Sequence, residues 1–378
     1  MGCELRKNKI ITAMDIARKI NGFRRFLMRQ MTKNIGSRSC CKGLSNNPNV
    51  IKRVLICRPN HRLGNLLLIT PLLQEINTMF PDAKIDLFGK GFLAQTLFKN
   101  YEYVDNVFIL PKKAFDHLFE YFKVWFSMRK QHYDIVINVD CNSSSGRLAT
   151  QFSDSKYRFF GDASQFNLLR HDDDEHIAKY PVYNFRAFLS QVGFKVNNLP
   201  VAPLDIKLSS VEIEKGKEIV SKLVGNEKRT ICLFTFATGA KCYSTEWWEV
   251  FYGKLKKEFS EYNFIEVLPV ENVSQISFKA PTFYSKDVFE IGSVIANTDL
   301  FIGADSGIMH LASATGTPTL GLFSVTYLNK YTPYHGLNTG VNANENSIAD
   351  CLKLVESILL KTKGRNKILI VGEKKIKN

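Results

Sequence analysis

The 378-residue sequence lacks any regular cysteine framework. Its eight cysteines (Cys3, Cys40, Cys41, Cys57, Cys141, Cys232, Cys242 and Cys351) are scattered, with no Cys-x-x-Cys unit and no histidine at zinc-finger spacing. That pattern excludes a disulfide framework and a structural zinc site. Cys57 and Cys232 fall in expected strands, where a thiol serves as a small buried hydrophobe. The usage fits a reducing cytoplasm. No apolar run is long enough to span a bilayer, and the N-terminus shows no apolar leader followed by small residues, so export is not expected. Acidic charge is scarce in residues 1–53, which hold thirteen Lys/Arg against Glu4 and Asp15 and so carry +11 of the net +15. The basic character therefore belongs to an arm, and the rest of the chain is nearly balanced.

Within that arm Ile10, Ala13, Ile16, Ile20, Phe23 and Leu27 recur every three or four residues, with Arg18, Lys19, Arg24, Arg25 and Arg29 between them. This is the pattern of a basic amphipathic helix, which suits an anionic membrane surface. A helix packed on the protein body with a solvated basic face fits the same spacing. Nucleic-acid binding has only the charge in its favour, since no nucleic-acid motif accompanies it. Residues 33–49, rich in Ser, Asn, Gly and Lys, read as a linker.

The hydrophobic fraction, 45%, is that of a globular chain. From Arg53 onward short apolar runs alternate with helical periodicity, which predicts α/β architecture with parallel sheets. Strands are expected at Arg53–Pro59, Ile85–Phe88, Val107–Leu110, Asp134–Asp140 and Tyr157–Phe160. Helices are expected from a cap at Asn65 to about Phe80, interrupted or restarted at Pro71, and over Phe115–Gln131 and Ser144–Phe152. The acidic run Asp172–Glu175 reads as a solvated turn. Near Asn197–Ser209 two prolines break the pattern, as an interdomain linker would. A second series follows. Its helices are expected at Val211–Leu223, Thr245–Phe259, Val288–Ala296 and Ile348–Leu360, and its strands at Thr230–Phe236, Phe264–Val270, Leu300–Ala304 and Thr319–Phe323. A frayed Lys-rich tail closes the chain. The expected organisation is an arm (1–50), a first doubly wound domain (51–205) and a second (206–378).

The most informative stretch runs from Phe301 to Pro318. A buried strand ends in the tight turn Asp305-Ser306-Gly307, and a helix opens there. The first N–H groups of a helix lack internal partners and carry partial positive charge, so a phosphate settles there readily. His310 lies on the face of that helix that looks back toward the turn. Ligands of open α/β sheets bind at the carboxyl ends of the strands. The first domain should therefore offer the loop Arg58–Asn65 to a cleft, and the second the turn at Asp305.

These residues resemble a known family. Asp305-Ser-Gly-x-x-His310-x-x-Ser313-Ala-x-Gly316-x-Pro318 is similar to the signature of glycosyltransferase family 9, the lipopolysaccharide heptosyltransferases. So are Leu63-Gly64-Asn65 with Thr70-Pro71, Gly239-Ala240-Lys241 ahead of Trp247-Trp248, and Gly321–Thr326 with Tyr331–Tyr334. The resemblance covers about residues 53–360. It implies the GT-B architecture, two Rossmann-like domains facing a cleft, and inverting sugar transfer without a metal cofactor. The donor would be a nucleotide sugar, ordinarily ADP-heptose, and the acceptor a growing lipopolysaccharide or related glycolipid. Such an enzyme would work at the cytoplasmic face of the membrane, with the arm against the anionic leaflet. No Asp-x-Asp stands where a metal-bridged diphosphate would need it, and a helix N-terminus with Lys241 can supply that charge.

On this resemblance Ser306 and Gly307 would cradle the donor phosphates, and Asp305 would hold the loop or cap the helix. His310 would bond a phosphate or sugar hydroxyl. Lys241 would neutralise the leaving diphosphate, with Thr326 as a further donor and Glu271 near a ribose. Arg62 and Gly64 belong to the acceptor-side loop. The departure is Asn65, where the family commonly has an aspartate that deprotonates the acceptor; an amide cannot take that proton. Three readings stay open: His61 acts as base, Asn65 merely orients the acceptor, or the chain binds sugar nucleotides or glycans without turnover.

Overall fold

The computed structural model describes Gly22 and residues 26–36, 50–111, 117–161 and 172–376. Helical residues 26–32 form α1. The first α/β series then runs β1 (Arg53–Cys57), α2 (Leu63–Leu67), α3 (Thr70–Met79), β2 (Lys84–Lys90), α4 (Leu93–Leu97), β3 (Val104–Leu110), α5 (Leu118–Arg129), β4 (His132–Asn138), α6 (Ser144–Phe152), β5 (Asp154–Phe159) and α7 (Tyr180–Gln191). The second runs α8 (Ser210–Val224), β6 (Thr230–Phe234), α9 (Thr245–Glu258), β7 (Asn263–Val267), β8 (Thr282–Phe283), α10 (Val288–Ala296), β9 (Leu300–Ala304), α11 (Gly307–Ala314), β10 (Thr319–Phe323), α12 (Leu328–Tyr331), β11 (Thr339–Asn342) and α13 (Ile348–Ile376).

Both sheets are parallel throughout, ordered β3-β2-β1-β4-β5 and β11-β10-β9-β6-β7-β8. Each is doubly wound: the order reverses beside its first strand, between β1 and β4 and between β6 and β9. The crevice at such a reversal is where open α/β sheets bind ligands. The strands are apolar runs because helices cover both faces; β6, β9 and β10 are buried along their whole length.

Several expected boundaries shift for local reasons. Asn65 does not cap a helix. Arg62 takes that position, in extended conformation and without a side-chain cap, and Asn65 lies inside α2. The helix restarts at Thr70, with Pro71 in its first turn, where a missing N–H costs nothing. Helices α4 and α7 went unforeseen. α4 is a single short turn after β2, while Pro181 sits at the start of α7 and its buried face mixes Val182, Phe185 and Phe188 with Asn184 and Arg186. The closing helix continues to Ile376, where a frayed tail was expected.

The linker is pinned to the first series. Gln74 Nε2 donates to the Pro203 carbonyl (2.9 Å), Tyr101 Oη to Asp205 (2.6 Å), and Arg186 Nη1 to Leu199 (2.7 Å). Arg186 also holds buried Glu75 through two 2.8 Å bonds, fastening α7 to α3. Such a pair offsets its own desolvation only with this fork geometry. An apolar cluster continues from α3 through Val201, Leu204 and Ile206 to Phe289 and Leu311, joining the two units on the linker side.

The amphipathic pattern over residues 10–20 and most of the expected linker, 37–49, lie outside the described residues. The end of the arm that is described packs on the body. Thr32 is buried, its hydroxyl donates to Ser144 Oγ (2.9 Å), and Arg147 donates to the Thr32 and Ile35 carbonyls. No helix of the described residues is long and apolar enough to cross a membrane.

Candidate donor-binding site

The loops after β6 and β9 leave adjacent strands at the second sheet's reversal and meet in an ion pair. Lys241 ends a short 3-10 turn, Gly239–Lys241, and its Nζ lies 2.6 Å from Asp305 Oδ2. Thr326, beyond β10, donates its hydroxyl to the same carboxylate oxygen. Asp305 thus ties three loops together and does not cap α11. The Lys241 ammonium also sits 5.8 Å from the centroid of Tyr331. Beneath the Lys241 loop, buried Glu266 accepts from Thr235 and Ser274, each at 2.6 Å. Burial raises the Glu266 carboxyl above its ordinary range, opposed by those hydrogen bonds.

Ser306 is the N-cap of α11; its hydroxyl accepts from the Met309 N–H at 3.3 Å. Gly307 faces the other unit. A β-carbon there would lie 3.2 Å from the Gly64 nitrogen, and one on Gly64 would meet His310 Cδ2 at 2.9 Å. The starts of α2 and α11 therefore approach as backbone against backbone, and any larger residue at Gly64 would push them apart. The second half of the motif is structural: Asn338 bridges Ser313 Oγ (3.0 Å) to the Tyr334 carbonyl (2.9 Å).

His310 is buried between these elements, and its Nδ1 has no hydrogen-bond partner. Burial pushes its pKa down to about 4; Asp305 opposes this, while His176 and Lys241 reinforce it. At neutral pH it is an uncharged imidazole with a nitrogen unspent, suited to a sugar hydroxyl or phosphate oxygen. The shift has a consequence for stability. As pH falls from 6.5 toward 4, the unfolded chain takes up a proton at His310 before the folded chain does, so stability present above pH 6.5 declines. His310→Gln should flatten the thermal midpoint across that window. His176, also lowered by burial, leaves a residual slope. An unchanged slope in the variant would remove His310 as its source.

The remaining expected residues lie on other loops and on α2. His61 and Arg62 are exposed on the loop after β1, and the Arg62 N–H is held by Asn60 Oδ1 at 2.9 Å. The Asn65 side chain is half-buried and makes no hydrogen bond among the described residues. Glu271 is exposed on the turn beyond β7 and makes no ion pair or hydrogen bond with the Lys241–Asp305 group. His176 was missed. Its Nε2 lies 2.9 Å from the Thr332 carbonyl, its Nδ1 accepts from the Ala178 N–H at 3.2 Å, and its ring meets Tyr334 edge-on. It binds the segment after 171 to the loop that carries Tyr331. A lone histidine behind an acidic run carries no sequence signal for that. The acidic run does form a turn, but Asp173 is not merely solvated: it pairs with Lys179 and accepts from Tyr183 at 2.8 Å. Arg58, at the start of the loop expected to face the cleft, pairs with Asp140 at 2.9 Å across the first sheet's reversal and keeps a buried Nε unpartnered.

The chain is similar to several known proteins. Residues 287–359, which include the Asp305 turn and α11, match the family model for glycosyltransferase family 9 (heptosyltransferase). The chain is 25% identical to lipooligosaccharide heptosyltransferase 2 of Campylobacter jejuni over 284 residues, covering 73% of this chain and 82% of that one. Among solved structures, a glycosyl transferase family 9 protein from Veillonella parvula superposes with TM-score 0.66 at 18% identity, covering 84% of this chain and 100% of that one. The E. coli ADP-heptose lps heptosyltransferase II superposes with TM-score 0.61 at 15% identity, covering 83% and 100%. The two parallel sheets are those of a GT-B fold.

Proposed function

We propose, on the premise that this chain is similar to glycosyltransferase family 9 and shares the GT-B fold of heptosyltransferases, that it transfers a sugar from a nucleotide diphosphate to a lipopolysaccharide-type glycolipid. ADP-heptose is the proposed donor. The observation that carries the reading is the Lys241–Asp305–Thr326 knot at the second sheet's reversal, with the start of α11 and the neutral His310 beside it. The donor diphosphate would draw the Lys241 ammonium and Thr326 hydroxyl from Asp305, and the first turn of α11 would add its partial positive charge. As the bond from the anomeric carbon to the diphosphate breaks, negative charge grows on the leaving oxygen, where Lys241 stabilises it. That supports departure without a metal. Attack by an acceptor hydroxyl from the first domain's loop, on the opposite face of the sugar, would invert the anomeric carbon. The acceptor would be lipid-linked at the cytoplasmic leaflet, with the basic arm beside it.

The test is a thermal-shift screen of nucleotide sugars. A ligand at a hundred times its dissociation constant stabilises the folded state by about 2.7 kcal/mol. ADP-sugars are expected to raise the midpoint, and UDP- or GDP-sugars to leave it unchanged. A response to UDP- or GDP-sugars alone would reassign the donor; no response to any of them would remove the donor site.

A second reading, a sugar-nucleotide or glycan-binding protein without turnover, is favoured by one observation. Asn65 stands where the resemblance places a carboxylate, and its amide is uncommitted among the described residues.

A further inference from the structure

Helix α5 has two apolar faces. Inward, Tyr121, Val124, Trp125 and Met128 pack over Leu55, Cys57, Phe88 and Val136, with Trp125 edge-on to Phe88 and Phe152. A surface helix ordinarily sets polar residues opposite such a stripe. Here the opposite face presents Phe119, Phe122 and Phe126, exposed by 83%, 55% and 57%. Their spacing places them on one side of the helix. Lys123, Arg129 and Lys130 surround them, all exposed, against one carboxylate, Glu120. An exposed apolar patch with a charged rim marks an interaction surface.

The arm lies on the same flank. Phe152 of α6 meets Arg129 and Phe126 of α5, and the start of α6 holds α1 through Ser144 and Arg147. α1 exposes Phe26, Leu27 and Met31, with Arg29 and Lys33 among the exposed residues beside them. Aromatic and cationic side chains thus continue from α5 to the place where the arm joins the body.

We propose that this flank, the outer face of α5 with the adjoining α1, docks on an anionic lipid bilayer. The phenylalanines enter the boundary between headgroups and acyl chains, and the lysines and arginines meet lipid phosphates. The charge selects this occupant: a cationic rim complements an anionic bilayer, whereas the same face of a second copy would set the rim of Lys123, Arg129 and Lys130 against its own like charges. The inference extends the membrane reading of the arm to the folded body, and it rests on that reading for the part contributed by α1. Because α6 begins at the carboxyl end of β4, the docked surface would reach the edge of the cleft.

The full-length chain would be sedimented with vesicles of phosphatidylethanolamine containing phosphatidylglycerol, and with neutral phosphatidylcholine vesicles. Phe119→Ser/Phe122→Ser/Phe126→Ser is expected to lower partitioning onto the anionic vesicles about tenfold or more. It should still unfold cooperatively, with at most a small drop in midpoint from the lost Phe126–Phe152 and Tyr121–Phe122 contacts, and keep the unaltered response to nucleotide. An arm variant, Arg18→Gln/Lys19→Gln/Arg24→Gln/Arg25→Gln, should weaken binding and leave the α5-dependent part. The proposal is overturned if the triple variant partitions like the unaltered chain, or if neutral vesicles bind equally well. It is also overturned if the unaltered chain is a dimer that the triple variant dissolves. If the arm variant alone loses binding, the arm reading stands and this one falls. If the unaltered chain binds no vesicle, both fall, and the donor assignment is judged separately by the thermal-shift screen.

Discussion

Lys241→Ala is expected to lower sugar transfer by roughly a hundredfold to a thousandfold, the usual loss when one preorganised stabiliser of developing negative charge is removed. The loss should fall mainly on kcat, because the leaving diphosphate gains most of its charge in the transition state. The substitution also strips the cation from buried Asp305, leaving Thr326 as its remaining side-chain partner. A fall in stability could therefore imitate a fall in activity. Lys241→Ala/Asp305→Asn separates the two, since it removes the unpaired carboxylate. Its midpoint should recover while transfer stays low. Recovery of transfer together with stability would make Lys241 a structural cation.

His61→Ala is expected to cost about 10² to 10⁴ in turnover, the range for loss of a general base. Stabilisation by the donor should be unchanged, because His61 lies on the loop after β1 and the donor knot lies on the second sheet. Turnover that survives the change would leave departure of the diphosphate as the main driving force, with Asn65 orienting the acceptor. Asn65→Asp is the companion measurement. With His61 as base, the added carboxylate brings little. A large gain from a nearly inactive chain would show that the natural sequence binds its donor without transferring it.

Much of the architecture could be read before the fold was known, and for a definite reason. In a doubly wound sheet each buried strand is a short apolar run closed by a turn, so period and punctuation suffice. Helix Val288–Ala296 and strands Leu300–Ala304 and Thr319–Phe323 were located to the residue. Misreadings fell where local pattern is ambiguous. Asn65 is a strong capping residue, yet Arg62 occupies the cap, because the helix begins where α2 meets α11 and not where capping propensity is highest. Helix α7 escaped notice because its buried face includes Asn184 and Arg186, whose polarity breaks the apolar stripe.

The sequence by itself determined the two parallel domains, the basic arm and the identities of the residues that could handle a diphosphate. Each of these is local, carried by periodicity, charge count or a contiguous motif. The resemblance grouped several of them at one donor site, but the contacts they make with one another were decided by tertiary structure. Lys241, Asp305 and Thr326 lie far apart in sequence and meet because β6, β9 and β10 are neighbours in one sheet. Gly64 and Gly307 come from different units, and their close approach depends on how the two sheets face. The low pKa of His310 likewise comes from burial, which no linear pattern encodes.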